Sequence, residues 1–155
     1  MAEINFNPGE RLYRARKTIA FDGTAGNGAV GTVTVFTITG RVAVLYITAF
    51  CTENLTSDPT PGGATIALGT ANRSAKFIGS TTAENLDINE WWVDGTPLTE
   101  AVNIINQTTN GADPSQMNVV CSANIVVTVG TDDVTDGTII FDVWYYPVTD
   151  GASLA

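Results

Sequence analysis

An all-β fold is what the sequence predicts: a single β-sandwich, jelly-roll-like, with an extended N-terminal arm. Three observations lead there. Hydrophobic residues make up 44% of the 155 residues and charged residues only 15%, a low charge content for a globular domain. In segment after segment the apolar residues recur every second position, the spacing that lines one face of a strand. Clusters of Gly, Pro, Asn and Asp separate these segments, as turns require. The length suits one domain with a sizeable core. The lack of a repeat of fixed period argues against a propeller or solenoid.

Taken in order, residues 1–17 read as a basic arm and residues 18–155 as the sandwich body. The arm holds four basic and two acidic side chains, the body three basic and fourteen acidic. Asn7-Pro8-Gly9 marks a turn inside the arm. Next comes "GTAGNG" (23–28), a flexible loop that lacks the Lys and following helix of a phosphate-binding motif. "GTVTVFTITG" (31–40) changes phase between Val35 and Phe36, which predicts a bulge or a strand buried on both faces. "RVAVLYITAFC" (41–51) is a central strand, with Ala43, Leu45, Ile47, Ala49 and Cys51 expected on one side. "ATIALG" (64–69), "AKFIG" (75–79) and "EWWVD" (90–94) are shorter strands. "TPLTEAVNIINQ" (96–107) fits either a helix, capped by Thr96 with Pro97 first, or an irregular strand. "NVVCSANIVVTVG" (118–130) reads as one strand with Val119, Cys121, Ala123, Ile125, Val127 and Val129 inward. "TDDVTDG" (131–137) supplies a hairpin turn, and "GTIIFDVWYY" (137–146) closes the body. Its inward face is Ile139, Phe141, Val143 and Tyr145; its outward face is Ile140, Asp142, Trp144 and Tyr146.

The chemistry on offer is sparse. The chain has no histidine, which removes the commonest general base and metal ligand and the usual Ser-His-Asp and Cys-His arrangements. Cys51 and Cys121 stand too far apart in sequence for a zinc motif. They are expected as reduced core thiols, since the N-terminus lacks the layout of an export signal. Asp132, Asp133 and Asp136 miss the spacing of a calcium loop and read as a solvated turn. Pairs drawn from Glu84, Glu90 and Glu100 are no more than any acidic domain offers a glycosidase. No cofactor, metal site or enzymatic activity is expected. A net charge of −9 argues against nucleic acid as a partner, and no apolar run is long enough for a membrane helix. The aromatic pairs Trp91-Trp92 and Trp144-Tyr145 should each send one ring inward and one outward. An outward ring serves as a protein-contact anchor or a sugar-stacking platform.

With these residues in view, "GTVTVFTITGRVAVLYITAF", "ATIALGTANRSAKFIGSTTAENLDINEWWVDGTP" and "IVVTVGTDDVTDGTIIFDVWYYPV" resemble the small head-decoration (cement) proteins of tailed bacteriophages. The resemblance runs from about Gly31 to Pro147 and lies in Gly-Thr entries to strands, Thr-rich linkers and an aromatic last strand. It implies a structural virion protein on the capsid exterior, made in the host cytoplasm. Such proteins bind the major capsid protein, bridge its subunits and stabilise the expanded shell without catalysis. Self-association is expected, as a homotrimer or alternatively a dimer. The basic arm falls outside the matched region. Its role is a local inference: docking on an acidic shell, or else a first strand or a tail. The capsid-contact candidates are therefore Arg11, Tyr13, Arg14, Arg16, Lys17, Trp91 and Trp92. The alternative is a carbohydrate- or receptor-binding sandwich of a phage tail or fibre.

Overall fold

Alternating apolar residues, many of them β-branched or aromatic, do build strands almost throughout. The structure is a computed structural model, and it describes residues 11–58, 63–93, 97–99 and 119–155. In chain order the strands are β1 (Tyr13–Ala20), β2 (Gly31–Phe36), β3 (Ile38–Thr39), β4 (Val42–Asp58), β5 (Thr65–Thr70), β6 (Arg73–Thr82), β7 (Val119–Cys121), β8 (Ile125–Gly130), β9 (Asp133–Pro147) and β10 (Ser153–Leu154). A 3-10 turn, Ala83–Asn85, follows β6.

Among the described residues two four-stranded sheets result, with orders β1-β9-β4-β7 and β2-β8-β5-β6. The pairing is nested: β5 with β6, β4 with β7, β2 with β8, and β1 with β9, all antiparallel. The chain is thus one long hairpin, rolled until β4 also meets β9 and β5 also meets β8. That is jelly-roll topology, the expected form of the sandwich. The short pair β3-β10 lies beside it, where Thr37 and Ala155 exchange backbone hydrogen bonds of 2.7 and 3.0 Å.

The inward faces meet in one core. Val33, Val35, Phe36, Ile66, Leu68, Ile125 and Val127 come from one sheet; Val44, Ile47, Ile139, Phe141 and Val143 come from the other. The phase change at Val35-Phe36 is a bulge: the register with β8 shifts between Thr34 and Phe36, and both Val35 and Phe36 are buried. In β4 a second bulge at Leu45 corrects the expected face. The register against β9 slips between Val44 and Tyr46, so Val42 and Val44 point inward before the slip and Ile47, Ala49 and Cys51 after it.

Three further expectations change. Residues 118–130 are not one strand: β7 lies in one sheet and β8 in the other, and Ser122–Asn124 carries the chain across. Nor do residues 131–137 close a hairpin. Thr131 and Asp132 cross between the sheets, with Thr131 at φ 70°, and β9 has already begun at Asp133. Residues 90–93 form no named strand, although Trp91 makes isolated bridges to Phe50 and Leu98. The segment 96–107 lies outside the described residues except at 97–99. Cys51 and Cys121 are free and buried. Cys51 stands opposite Ile139, whereas Cys121 stands opposite Val42. That separates them by roughly 30 Å along β4 at about 3.3 Å per residue, far beyond the roughly 7 Å Cα limit for a bridge.

Candidate functional site

The outward face of the β1-β9-β4-β7 sheet concentrates side chains that a sandwich alone does not need. Alternation along β9 sends Ile140, Asp142, Trp144 and Tyr146 outward, and the register places Arg14 opposite Trp144 and Arg16 opposite Asp142 on β1. On the other side, β4 places Tyr46 opposite Trp144, Thr48 opposite Asp142 and Phe50 opposite Ile140.

At the centre Asp142 carries a charge within Ile139–Tyr146, a stretch of β9 that is otherwise aliphatic or aromatic on both faces, and it is only 7% exposed. Arg14 Nη2 lies 2.7 Å from its Oδ1 and Arg16 Nη2 2.8 Å from its Oδ2, and both Nε groups also donate to it. Burial pushes the Asp142 carboxyl up, but the hydrogen bonds and charges of Arg16 and Arg14 outweigh it and hold the group below its ordinary value. The same contacts raise the Arg16 guanidinium, hydrogen bonding to Asp142 foremost.

Around this pair the rings interlock. Tyr46 and Trp144 have centroids 4.7 Å apart at 42°, and Phe50 and Trp91 stand 4.7 Å apart at 50°. Arg14 caps the Trp144 ring with its Cζ 5.2 Å from the centroid, an attractive placement for a cation over an indole. All four rings are half-buried. Their tilts differ from the flat, coplanar row that sugar stacking favours.

The sequence-predicted residues divide as follows. Arg11 is exposed just before β1. Tyr13 is 46% exposed and stacks on Tyr145 at 5.7 Å. Lys17 is exposed, opposite Phe141 in the register. Arg14 and Arg16 belong to the outward face, but their ion pairs are with Asp142 of the same chain. The expected boundary at residue 17 falls within β1, so Tyr13–Lys17 are paired along β9; residues 1–10 lie outside the described ones.

Trp91 is half-buried on Phe50. Trp92 is wholly buried and is a core residue. Its backbone N–H donates to Ala49 O of β4 at 2.9 Å and its Nε1 donates to Thr81 Oγ1 of β6 at 2.8 Å. Sequence reasoning did not find Asp142 as the partner of the basic cluster. The signal was there: one charge at an outward position of an apolar strand needs a counter-charge on the neighbouring strand.

Among the described residues no cluster of His, Cys, Asp and Glu is arranged to hold a metal ion, and no helix is long and apolar enough to cross a membrane. No protein-family model matches the chain, and no curated protein matches it. Two solved assemblies contain similar chains. One is the cyanophage Pam1 capsid asymmetric unit, 18% identical over 94% of this chain and 91% of that one, with a TM-score of 0.47. The other is the acidic stable capsid structure of Helicobacter pylori bacteriophage KHP30, 10% identical over 93% and 92%, with a TM-score of 0.43. Likenesses this distant carry no functional argument, and the fold stands on its own strand order.

Proposed function

We propose that this protein is a structural virion component, a decoration (cement) protein that binds the outer surface of a tailed-phage capsid. On this reading it bridges major capsid subunits and stabilises the expanded shell. The observation that carries the reading is the outward face of the β1-β9-β4-β7 sheet. Tyr46, Phe50, Trp91 and Trp144 present partly exposed aromatic surface there, and Arg14 and Arg16 are fixed by Asp142. Aromatic and Arg side chains already held in one conformation lose little entropy on docking, which is what protein-contact anchors need. The resemblance of residues 31–147 to head-decoration proteins supplies the partner.

No chemistry is needed for stabilisation. A protein that binds the assembled lattice but not its free subunits shifts the equilibrium toward the shell. Many weak contacts per particle suffice when copies act together.

The test is co-sedimentation with purified expanded shells stripped of accessory proteins, with the bound copies counted. Saturation at a fixed number per capsid subunit is expected, with loss of binding in Tyr46→Ala/Trp144→Ala that retains its fold by circular dichroism. A folded protein that does not bind, or a double variant that binds unchanged, overturns the reading or its surface respectively.

A second reading, a carbohydrate- or receptor-binding module, is favoured by one observation: these rings share one sheet face. Their tilts of 42° and 50° and the Arg14 cap on Trp144 count against stacking on a sugar. A glycan-binding screen separates the two.

A further inference from the structure

Among the described residues, charge is sorted along the strands. β9 gives the axis, from Asp133 opposite Asp58 to Pro147 opposite Val42. This is roughly 45 Å at about 3.3 Å per residue. Around the Asp133 end the register and hydrogen bonds gather Asp22, Glu53, Glu84, Asp132 and Asp136. Around the Pro147 end they gather Arg14 opposite Trp144 and Arg41 beside Val42, and Arg73 and Lys76 of β6, which line one groove with Cys121, itself opposite Val42. Arg16 and Lys17 also fall on this half, opposite Asp142 and Phe141. Among the described acids whose side chains are placed, only Asp142 and Asp150 share it, and Asp142 is held by Arg14 and Arg16.

The basic end also has shape. Between the β5–β6 turn and the β7–β8 connection lies an open groove of about 440 Å³, lined by Thr70, Asn72, Arg73 and Lys76 and by residues 119–123. Gly69 lets the turn close beneath it, since a Cβ there would overlap Arg73 O. At the acidic end the β8–β9 crossing is short and braced. Asp132 N–H donates to Gly130 O at 2.8 Å, Asp132 Oδ1 accepts from Asp133 N–H at 2.9 Å, and Asp133 Oδ1 accepts from Val30 N–H at 2.7 Å. Its carboxylates are fixed in place, and each keeps lone pairs for a further donor.

The two ends are separated by several Debye lengths, each about 8 Å at physiological salt. They cannot neutralise one another within a molecule, and the complementary surface each lacks is present on the other end of a second copy. We propose that the chain self-associates head to tail, the basic groove of one copy receiving the acidic β8–β9 turn of the next. Such a contact is heterologous, so it closes into a ring or extends as an open series. Chains of net charge −9 repel one another in every orientation, so only a contact that joins unlike ends offsets that repulsion.

Sedimentation velocity on the purified protein, from about 0.01 M to 1 M salt, tests this without any capsid. Concentration-dependent association beyond a dimer is expected at low salt, receding as salt rises. Arg73→Glu/Lys76→Glu and Asp132→Lys/Asp136→Lys should each weaken it by about tenfold or more, and an equimolar mixture of the two should regain it. Circular dichroism and melting establish that each variant is folded; a variant that is not is replaced by Arg73→Gln/Lys76→Gln or Asp132→Asn/Asp136→Asn, with a smaller loss expected and the mixing arm kept for the charge-reversed pair. A monomer at every concentration, a saturating two-fold dimer, association untouched by either reversal, or a mixture that stays apart overturns the proposal. None of these outcomes depends on shell binding, so the two readings fail separately.

Discussion

Asp142 fixes the chemistry of the outward face. A carboxylate at this burial is tolerated because two guanidiniums meet both of its oxygens, whereas removing one partner from such a pair leaves a charge without compensation. Asp142→Asn should cost about 1–2 kcal/mol in urea unfolding at neutral pH, since Arg14 and Arg16 remain largely solvated. The pH dependence follows from the direction of the shift. The carboxyl lies below its ordinary value in the folded state, so its contribution is present above the unfolded value of about 4 and is lost as pH falls through the folded value. Asp22, held low first by the Thr24 hydroxyl and then by the Thr24 N–H, acts in the same sense. Acid titration of stability should therefore show a shallower acid limb in Asp142→Asn than in the parent chain. An unchanged limb would mean that the pair contributes nothing.

At the scale of elements, the informative piece is the segment after the 3-10 turn. It forms no named strand, yet it joins the sheets. Asn89 and Cys51 and then Trp92 and Ala49 connect it to β4, while the Trp92 indole reaches Thr81 of β6 and packs edge-on against Phe141 at 6.5 Å. Trp92→Ala removes the largest fully buried side chain and leaves the Thr81 hydroxyl without that donor. A loss of about 3–5 kcal/mol is expected, measured by chemical denaturation. Trp92→Phe should lose less, because it keeps the bulk and forfeits mainly the hydrogen bond. Strand β1 makes the complementary point. Among the described strands it is an edge strand whose exposed Arg14, Arg16 and Lys17 discourage pairing with a stray strand, so Arg14 and Arg16 protect an edge as well as dressing the outward face.

For the whole molecule, topology sets behaviour. Tyr13 pairs with Tyr145 and Ala20 with Thr138, so the first and last long strands must find one another across nearly the entire chain. Folding dominated by such non-local pairing is slow. The two thiols report on it. Burial pushes the Cys51 thiol up to about 11 and raises that of Cys121 as well, and both side chains are covered. Labelling by a thiol reagent near pH 8 should be slow in the native protein, with both sites reacting at the rate of global unfolding and fast only in denaturant. Rapid labelling of one site without loss of structure would reveal local opening instead.

Much of this was legible in the residues. The two-residue period fixed the inward set of β9, Ile139 to Tyr145, without correction, because both faces of a regular strand obey one alternation. The break in "TVFT" announced its bulge. The aromatic pairs divided inward and outward, Tyr145 and Trp92 in the core and Trp144 and Trp91 outside it, although Trp91-Trp92 does so outside any named strand. What period and composition could not supply was anything that depends on which strand lies beside which. The bulge at Leu45, the crossing at residues 122–124, the meeting of Arg14 and Arg16 with Asp142 and the sorting of charge to opposite ends all arise from pairings far apart in sequence. A local pattern specifies which face of a strand is apolar. Only the rolled topology decides what that face meets, since register and neighbour are set by packing the whole core at once.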